Sequence, residues 1–287
     1  MAVTETEARD TTGVRTTDPD AAPFAQVDSF SAPMRAKLLA ALEDMAGTPQ
    51  IAQVRRQANA MLQPTAGEQI LDAGCGAGEV ARELAAMVGP GGQITAIDAS
   101  QATVDYAASK DGGAGVQYRV ADLNALPFAD GTFDAVRCER VLQHIPDPDR
   151  SVAELVRVTR AGGRVCLIDT DWHSLALDGM PDDLVNAMTA AFLSEKANHH
   201  KTMGRTLRRR LVRAGLADVS AQPVAFSFSE ASSAAELLPM FDELIPAEFG
   251  LMPAELRDPW FEAVAAADAR GELLAALTMW VAVGTRP

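Results

Sequence analysis

Five short apolar segments alternate with helical stretches between residues 69 and 169 of this 287-residue chain, and this alternation constrains the fold more than any other feature. Each apolar segment has the length of a buried strand. Strands that are joined by helical crossovers pair in parallel with right-handed connections. The sequence therefore predicts an α/β fold with a doubly wound, mostly parallel sheet. The predicted strands are residues 69–73, 93–98, 116–122, 133–138 and 163–169, and the predicted helices between them are residues 79–88, 101–109 and 149–159.

Further segments surround this core. Apolar side chains at intervals of three and four residues predict helices over 31–45 and 50–62, before Pro64. Residues 217–228 and 277–285 predict two more strands. The predicted organisation is a disordered tail at 1–22, a helical cap at 23–65, the core at 66–171, a lid at 172–200, and the rest of the core at 201–287 with a helical insertion at about 230–275.

The segment ILDAGCGAGEVA joins the first predicted strand to the next helix through three glycines. Glycines of this kind let a ligand approach the backbone closely, because no Cβ stands in the way. The dinucleotide fingerprint GxGxxG requires a glycine where this chain has Glu79. An acid in the first turn of a helix would also repel a pyrophosphate, and no GK[ST] follows for a phosphate-binding loop. The loop therefore favours an uncharged or cationic nucleoside over a phosphorylated ligand.

Acidic residues follow the predicted strands, at the edge where open α/β sheets bind their ligands. Asp98 ends the second strand about 20 residues after the glycine loop, where an acid can accept hydrogen bonds from both hydroxyls of a ribose. Asp122, after the third strand, can accept one from the exocyclic amine of an adenine. Each acid alone could instead cap a helix. The four acids that follow strands are Asp72, Asp98, Asp122 and Glu139.

The segments LDAGCGAG, AIDAS, ADLNALPFADGTFDAV and CERVLQHIPDPDR follow one another over about residues 66–170. In this order they resemble the class I S-adenosylmethionine-dependent methyltransferases, closest to the ubiquinone/menaquinone methyltransferase-like group. The resemblance implies a Rossmann-like sheet of seven strands with an antiparallel terminal hairpin, S-adenosylmethionine as cofactor and S-adenosylhomocysteine as product. The cofactor-binding residues that it implies are Asp72, Gly74, Cys75, Gly76, Asp98, Ala99, Asp122, Leu123, Glu139 and Arg140.

Methyl transfer from a sulfonium needs a positioned nucleophile and, for some acceptors, a group that takes its proton. We predict His173 as that base and His144 as the second candidate. His144 can instead orient the cofactor, and positioning alone can suffice. His199 and His200, beside Lys201, are predicted to lie on the surface of the lid. We predict no metal site, because the chain has no HxH or HExxH spacing.

Methionines and aromatic side chains in the cap, the lid and the insertion favour a mainly apolar small molecule as substrate. The net charge of −14 repels phosphate backbones and anionic lipid, so we expect no nucleic-acid and no membrane partner. Three cysteines without a CxxC pair and the lack of a signal segment favour the cytoplasm. We expect a monomer or a homodimer. The predicted substrate contacts are Trp172, Phe30, Met34 and Phe241.

The function that follows is in-line transfer of a methyl group to O, N or C of a small organic molecule in specialised, natural-product metabolism. The alternative is a cyclase or isomerase of the same fold that binds S-adenosylmethionine without transferring its methyl group. A nicotinamide dehydrogenase is a third and more distant alternative, because of the missing glycine of the fingerprint.

Overall fold

The computed structural model describes residues 27–194, 200–243 and 252–287. The predicted tail at 1–22 and His199 lie outside the described residues. The strands form one seven-stranded sheet in the order β3-β2-β1-β4-β5-β7-β6, which confirms the predicted fold class. The strands are β1 Gln69–Ala73, β2 Gln93–Asp98, β3 Gln117–Val120, β4 Phe133–Glu139, β5 Thr159–Asp178, β6 Ala217–Phe228 and β7 Leu274–Thr285.

The first five strands pair in parallel, and β7 lies antiparallel between β5 and β6. From β1 the chain first adds β2 and β3 on one side and then crosses to add β4 and β5 on the other. Because the order of the strands reverses at this point, the loops after β1 and β4 diverge and leave a crevice at the carboxyl ends of the strands. The crevice is the position at which a ligand is expected.

Helices cover both faces of the sheet, and three of the described helices begin at a side chain that caps their first turn. The side chain of Thr48 accepts a hydrogen bond from the backbone N–H of Ile51, and Ser100 does the same for the helix that follows β2. Asp147 accepts one from the N–H of Arg150. The helices are α1 Ala32–Ala46, α2 Pro49–Leu62, α3 Glu79–Val88, α4 Gln101–Ser109, α5 Pro148–Val158, α6 Asp182–Leu193, α7 Met203–Arg213, α8 Ala231–Ala235 and α9 Ala254–Arg270.

Each face of the sheet has its own hydrophobic core. Residues of α2, α3, α6 and α9 pack on one face, where the side chain of Trp260 is fully buried. Residues of α5 and α7 pack on the other face around Leu155 and Leu207. Among the described helices, none is long and apolar enough to cross a membrane.

Strand β5 is longer than the sequence predicts, and this moves the start of the predicted lid. The strand runs to Asp178 because its second half pairs with β7, after a register shift between Asp171 and Ala176. Residues 172–178 therefore belong to the sheet, and the remainder of the predicted lid begins with α6. Trp172 consequently stands on a paired strand.

The segment before α1 is fastened to the start of α4 by Asp28. Its carboxylate accepts hydrogen bonds from the Ser100 hydroxyl at 2.9 Å and from the N–H groups of Gln101 and Ala102 at 3.0 Å each. These N–H groups are among those that a helix leaves unpaired in its first turn. This contact holds the beginning of the helical cap beside the end of β2.

Candidate active site

A cavity of about 780 Å³ lies at the carboxyl ends of the strands, beneath α1 and α2. Its volume is typical of small-molecule sites. The loops after β1 to β4 form one end. Apolar residues of α1, β5, α6, β6 and β7 and the insertion between β6 and β7 form the rest of the wall, including Met34, Trp172, Phe192, Phe226, Leu277 and Met279.

All ten predicted cofactor residues line this cavity, although they come from four separate loops of the sheet. Their roles toward the cofactor stay predictions. These residues are Asp72, Gly74, Cys75, Gly76, Asp98, Ala99, Asp122, Leu123, Glu139 and Arg140.

Two glycines of the loop after β1 are needed for different reasons. Gly74 has a φ of +77°, and a Cβ there would lie 2.2 Å from Cγ2 of Val141, so that the loop could not pack against the end of β4. Gly76 has a φ of +51°, and the nearest atom to its Cβ would be Cδ1 of Leu42 at 4.0 Å. A side chain at position 76 would thus meet no protein atom closely and would occupy the cavity that Gly76 lines.

Asp98 ties the glycine loop to the end of β2. Its Oδ2 accepts a hydrogen bond from the N–H of Gly76 at 3.2 Å, and its Oδ1 accepts one from the N–H of Ser100 at 3.1 Å. Burial raises the pKa of Asp98, against the effect of these backbone hydrogen bonds. A carboxylate has about four lone-pair positions, so two remain for a ligand in the cavity. Asp122 is exposed and accepts a hydrogen bond from the N–H of Asn124 at 2.8 Å.

Three buried carboxylate oxygens at this end of the cavity have no hydrogen-bond donor among the described residues: Oδ2 of Asp72, Oε1 of Glu79 and Oε1 of Glu139. Burial raises the pKa of Asp72 to about 7, and the charge of Arg137 only partly opposes this. Buried acceptors without donors are costly. Oε1 of Glu139 is compensated by Arg140, whose Nε lies 3.4 Å away, so the oxygens of Asp72 and Glu79 are the ones that fit a cationic, hydrogen-bond-donating group, such as the ammonium of a methionyl moiety.

Glu139 balances three arginines at the same end. Its carboxylate pairs with Arg137, which is fully buried, and lies 3.5 Å from Nε of Arg55 and 3.4 Å from Nε of Arg140. Burial by itself would raise the pKa of Glu139, but the three guanidinium charges outweigh it and hold the value at about 2. Glu139 is therefore ionised at neutral pH. Arg55 and Arg140 both line the cavity and offer positive charge to a ligand carboxylate.

The structure separates the two candidate histidines. His144 is partly buried and lines the cavity. His173 is exposed and does not line it, which is contrary to the prediction that His173 is the base. Successive side chains of a strand point to opposite faces. Thr170 and Trp172 line the cavity, and Asp171 instead pairs with Arg205 of α7 at 2.6 Å.

Of the predicted substrate contacts, Trp172 and Met34 line the cavity, and two do not. Phe30 is partly buried outside it. Phe241 packs edge-on against Trp260 at a centroid distance of 5.8 Å and belongs to the core beneath the insertion. These two predictions are corrected because an apolar residue in a cap serves packing as readily as it serves a ligand.

A hydrogen-bonded series that the sequence did not reveal holds Trp172 in place. The N–H of Gln143 donates to Oδ2 of Asp169 at 3.1 Å, and Oε1 of Gln143 accepts from Nε1 of Trp172 at 2.8 Å. The N–H of Trp172 donates to the carbonyl of Lys201 at 2.8 Å. His200 is partly buried, and its Nε2 lies 3.0 Å from the Ile145 carbonyl.

The surface position expected for His200 is therefore corrected to a partly buried one. Lys201, for which the sequence predicted no role, is only 8% exposed and lines the cavity. No local sequence signal distinguishes it, because a lysine between a histidine and a threonine is typical of an exposed loop. In the described ranges, no group of three histidine, cysteine or acidic residues could hold a metal ion.

Residues 71–167 match the family described as "Methyltransferase domain". The chain is 35% identical over 219 residues to an uncharacterised 37.1 kDa protein of transposon Tn4556 from Streptomyces fradiae, which covers 76% of this chain and 62% of that protein. It is 38% identical over 107 residues to the ubiquinone/menaquinone biosynthesis C-methyltransferase UbiE of Desulfotalea psychrophila, over 37% of this chain and 43% of that protein. The chain thus spans less than two thirds of the length of these curated relatives.

Among solved structures, the [4+2]-cyclase SpnF superposes with a TM-score of 0.52 at 23% identity and covers 82% of this chain and 81% of SpnF. This likeness concerns the fold. The matched family segment contains the glycine loop, the acids after β1 to β4 and the strands that carry them. The resemblance read from the motifs is therefore confirmed, and residues 71–167 are a methyltransferase domain of the class I family, whose cofactor is S-adenosylmethionine.

Proposed function

We propose that this protein transfers the methyl group of S-adenosylmethionine to O, N or C of a small, mainly apolar molecule in specialised metabolism. One observation carries the proposal: a single cavity joins a polar end, where buried carboxylate oxygens of Asp72 and Glu79 have no hydrogen-bond donor among the described residues, to an apolar and aromatic end. The first suits an amino-acid-bearing nucleoside, and the second suits an acceptor molecule.

The polar end would hold the cofactor by its separate groups. Asp98 has lone pairs left for the ribose hydroxyls, and Asp122 is exposed to the cavity for the adenine amine. Asp72 and Glu79 would accept from the methionyl ammonium, and Arg55 with Arg140 would face the carboxylate. When bound, the sulfonium supplies an electrophilic methyl carbon.

The protein's own contribution to the reaction is to position the acceptor and exclude water. Trp172 is held on β5 by its hydrogen bond to Gln143, so that it offers a fixed apolar wall. Such positioning of a nucleophile can supply much of the rate enhancement. His144 lines the cavity next to the end of β4 and is the candidate for taking a proton from an O or N acceptor.

The shape of the cavity and the net charge of the chain support a small-molecule substrate and disfavour other partners. A cavity of about 780 Å³ beneath helices suits a small molecule better than a polymer. The net charge of −14 disfavours nucleic acid and anionic membranes. We propose a cytoplasmic monomer or homodimer.

Product analysis tests the proposed activity. The protein is incubated with isotopically methyl-labelled S-adenosylmethionine and a panel of apolar acceptors, and we expect the label in an acceptor together with S-adenosylhomocysteine. Because the cyclase SpnF shares the fold, conversion of a substrate without incorporation of label is the outcome that would replace methyl transfer by the alternative. Stabilisation by nicotinamide dinucleotides in place of S-adenosylhomocysteine would contradict both.

A further inference from the structure

The side chain of Lys201 ends in the apolar part of the cavity. Its Nζ lies 4.0 Å from the ring centroid of Phe192 and 6.0 Å from that of Trp172. The two rings meet edge to face at a centroid distance of 5.1 Å. Trp172, Phe192 and Lys201, which we call the cationic corner, all line the cavity.

No described residue neutralises the charge of this corner. Within the described parts of the chain, Nζ of Lys201 forms no ion pair and no hydrogen bond, and it lies over the rings of Phe192 and Trp172. Burial lowers the pKa of Lys201 to about 8, so the ammonium form still predominates at neutral pH. Ring faces compensate only part of the hydration that a buried ammonium loses. A cation in this position is stabilised further by an anion that enters the cavity.

The position of Lys201 in the chain is maintained by the surrounding backbone. Its carbonyl accepts from the N–H of Trp172, and the N–H of the preceding residue, His200, donates to the carbonyl of Gln143 at 2.9 Å. Lys201 also lies directly before Thr202, the N-cap of α7, where the helix dipole does not favour a cation. An exposed rotamer would avoid this cost, yet the residue is 8% exposed.

The other end of the cavity has the opposite preference. Asp72, Glu79, Asp98 and Glu139 line it, and these four acids outnumber Arg55 and Arg140, which line the same end and are assigned to the carboxylate of the cofactor. The charges of the cavity are therefore unevenly distributed, with an excess of acids at the end assigned to the cofactor and, among the aromatic rings, a lysine that has no counter-charge among the described residues. Such a gradient orients a molecule that carries a negative charge on one side of an apolar body.

We propose, resting on the proposed function, that the acceptor substrate is an apolar molecule with an anionic oxygen group, which binds the ammonium of Lys201 while its apolar body packs against Trp172. Lys201 is then a specificity-determining residue for substrate acidity. It orients the acceptor so that the charged group points away from the acids of the cofactor end.

Binding of a matched pair of probes tests this inference. The probes are 2-naphthoate and 2-naphthamide, which have the same ring and differ in charge, and binding is measured by calorimetry with and without saturating S-adenosylhomocysteine. We expect the wild-type protein to prefer the carboxylate by about tenfold or more, the effect of one charge-assisted hydrogen bond. Lys201→Met should abolish this preference, and Lys201→Arg should retain most of it.

Lys110→Met is the matched control, because it removes one positive charge at an exposed lysine that does not line the cavity. It should leave the preference unchanged. A preference that persists in Lys201→Met, or a wild-type protein that does not prefer the carboxylate, overturns the inference. Binding of S-adenosylhomocysteine is measured separately. If the wild-type protein does not bind it, the proposed function is contradicted. If Lys201→Met still binds it, that variant is folded.

Discussion

Replacing Asp98 by alanine should weaken cofactor binding with little effect on the fold. Two lone-pair positions of its carboxylate are taken by the N–H groups of Gly76 and Ser100, at 3.2 and 3.1 Å, and the other two are available to the two hydroxyls of a ribose. A hydrogen bond to a charged group contributes about 1.5–3 kcal/mol net. Water can enter the space that the side chain leaves, so we expect the loss of about one such bond.

The expected loss corresponds to about a 10- to 150-fold increase in the dissociation constant of S-adenosylhomocysteine. Calorimetric titration measures it directly. Asp178→Ala is the matched control, because it removes one carboxylate from an exposed position of β5 that does not line the cavity. Thermal unfolding of both variants without ligand checks that the glycine loop remains folded.

A double-mutant cycle assigns the effect to the ribose. Adenosine and 2′,3′-dideoxyadenosine differ only in the hydroxyls that Asp98 is proposed to bind. The wild-type protein should prefer adenosine, and the preference should disappear in Asp98→Ala, because the partner of the hydroxyls is then missing. An undiminished preference for adenosine in the variant would refute the assignment, whatever happens to the affinity for S-adenosylhomocysteine.

Three further predictions concern other residues of the cavity. Burial raises the pKa of Asp72 from 3.8 to about 7, so its carboxyl group loses its proton as the pH rises from about 5 to 7. If S-adenosylhomocysteine binds the carboxylate form, its affinity should increase over this range by up to about tenfold per pH unit. Calorimetry should find this increase absent in Asp72→Asn. Glu139→Gln leaves the buried Arg137 without its counter-charge and should lower the free energy of unfolding by about 3–5 kcal/mol in urea titrations; an unchanged midpoint and slope would contradict the ion-pair account. For an acceptor that must lose a proton, His144→Ala should reduce kcat by about 100-fold or more without changing the affinity for the cofactor, and His173→Ala should leave kcat unchanged. A loss of kcat in His173→Ala but not in His144→Ala would identify His173 as the base.

The sequence by itself determined the sheet, the glycine loop and the acids at the strand ends. These features depend on short-range patterns: apolar runs of strand length, glycines where the backbone needs positive φ, and acids directly after strands. Because all parallel strands end at the same edge, residues that are as far apart in the chain as Asp72 and Glu139 were predicted to meet at one site. All ten residues assigned to the cofactor line one cavity.

Only the tertiary structure decided which side chains face the acceptor end. Trp172 and His173 lie where the register of β5 against β7 shifts, between Asp171 and Ala176, and there Trp172 lines the cavity and His173 is exposed. Strand β7, which pairs on both sides of the shift, lies about 100 positions later in the chain. Phe241 packs against Trp260 and therefore belongs to the core, not to the wall of the cavity. Lys201 became part of the cavity because the N–H of Trp172 on β5 donates to its carbonyl and the carbonyl of Gln143 accepts from the N–H of His200. A shift of one residue in the pairing of a strand turns each of its side chains to the opposite face of the sheet. The amino-acid sequence of the strand is the same in both registers, so the sequence pattern alone does not show which side chain faces the ligand.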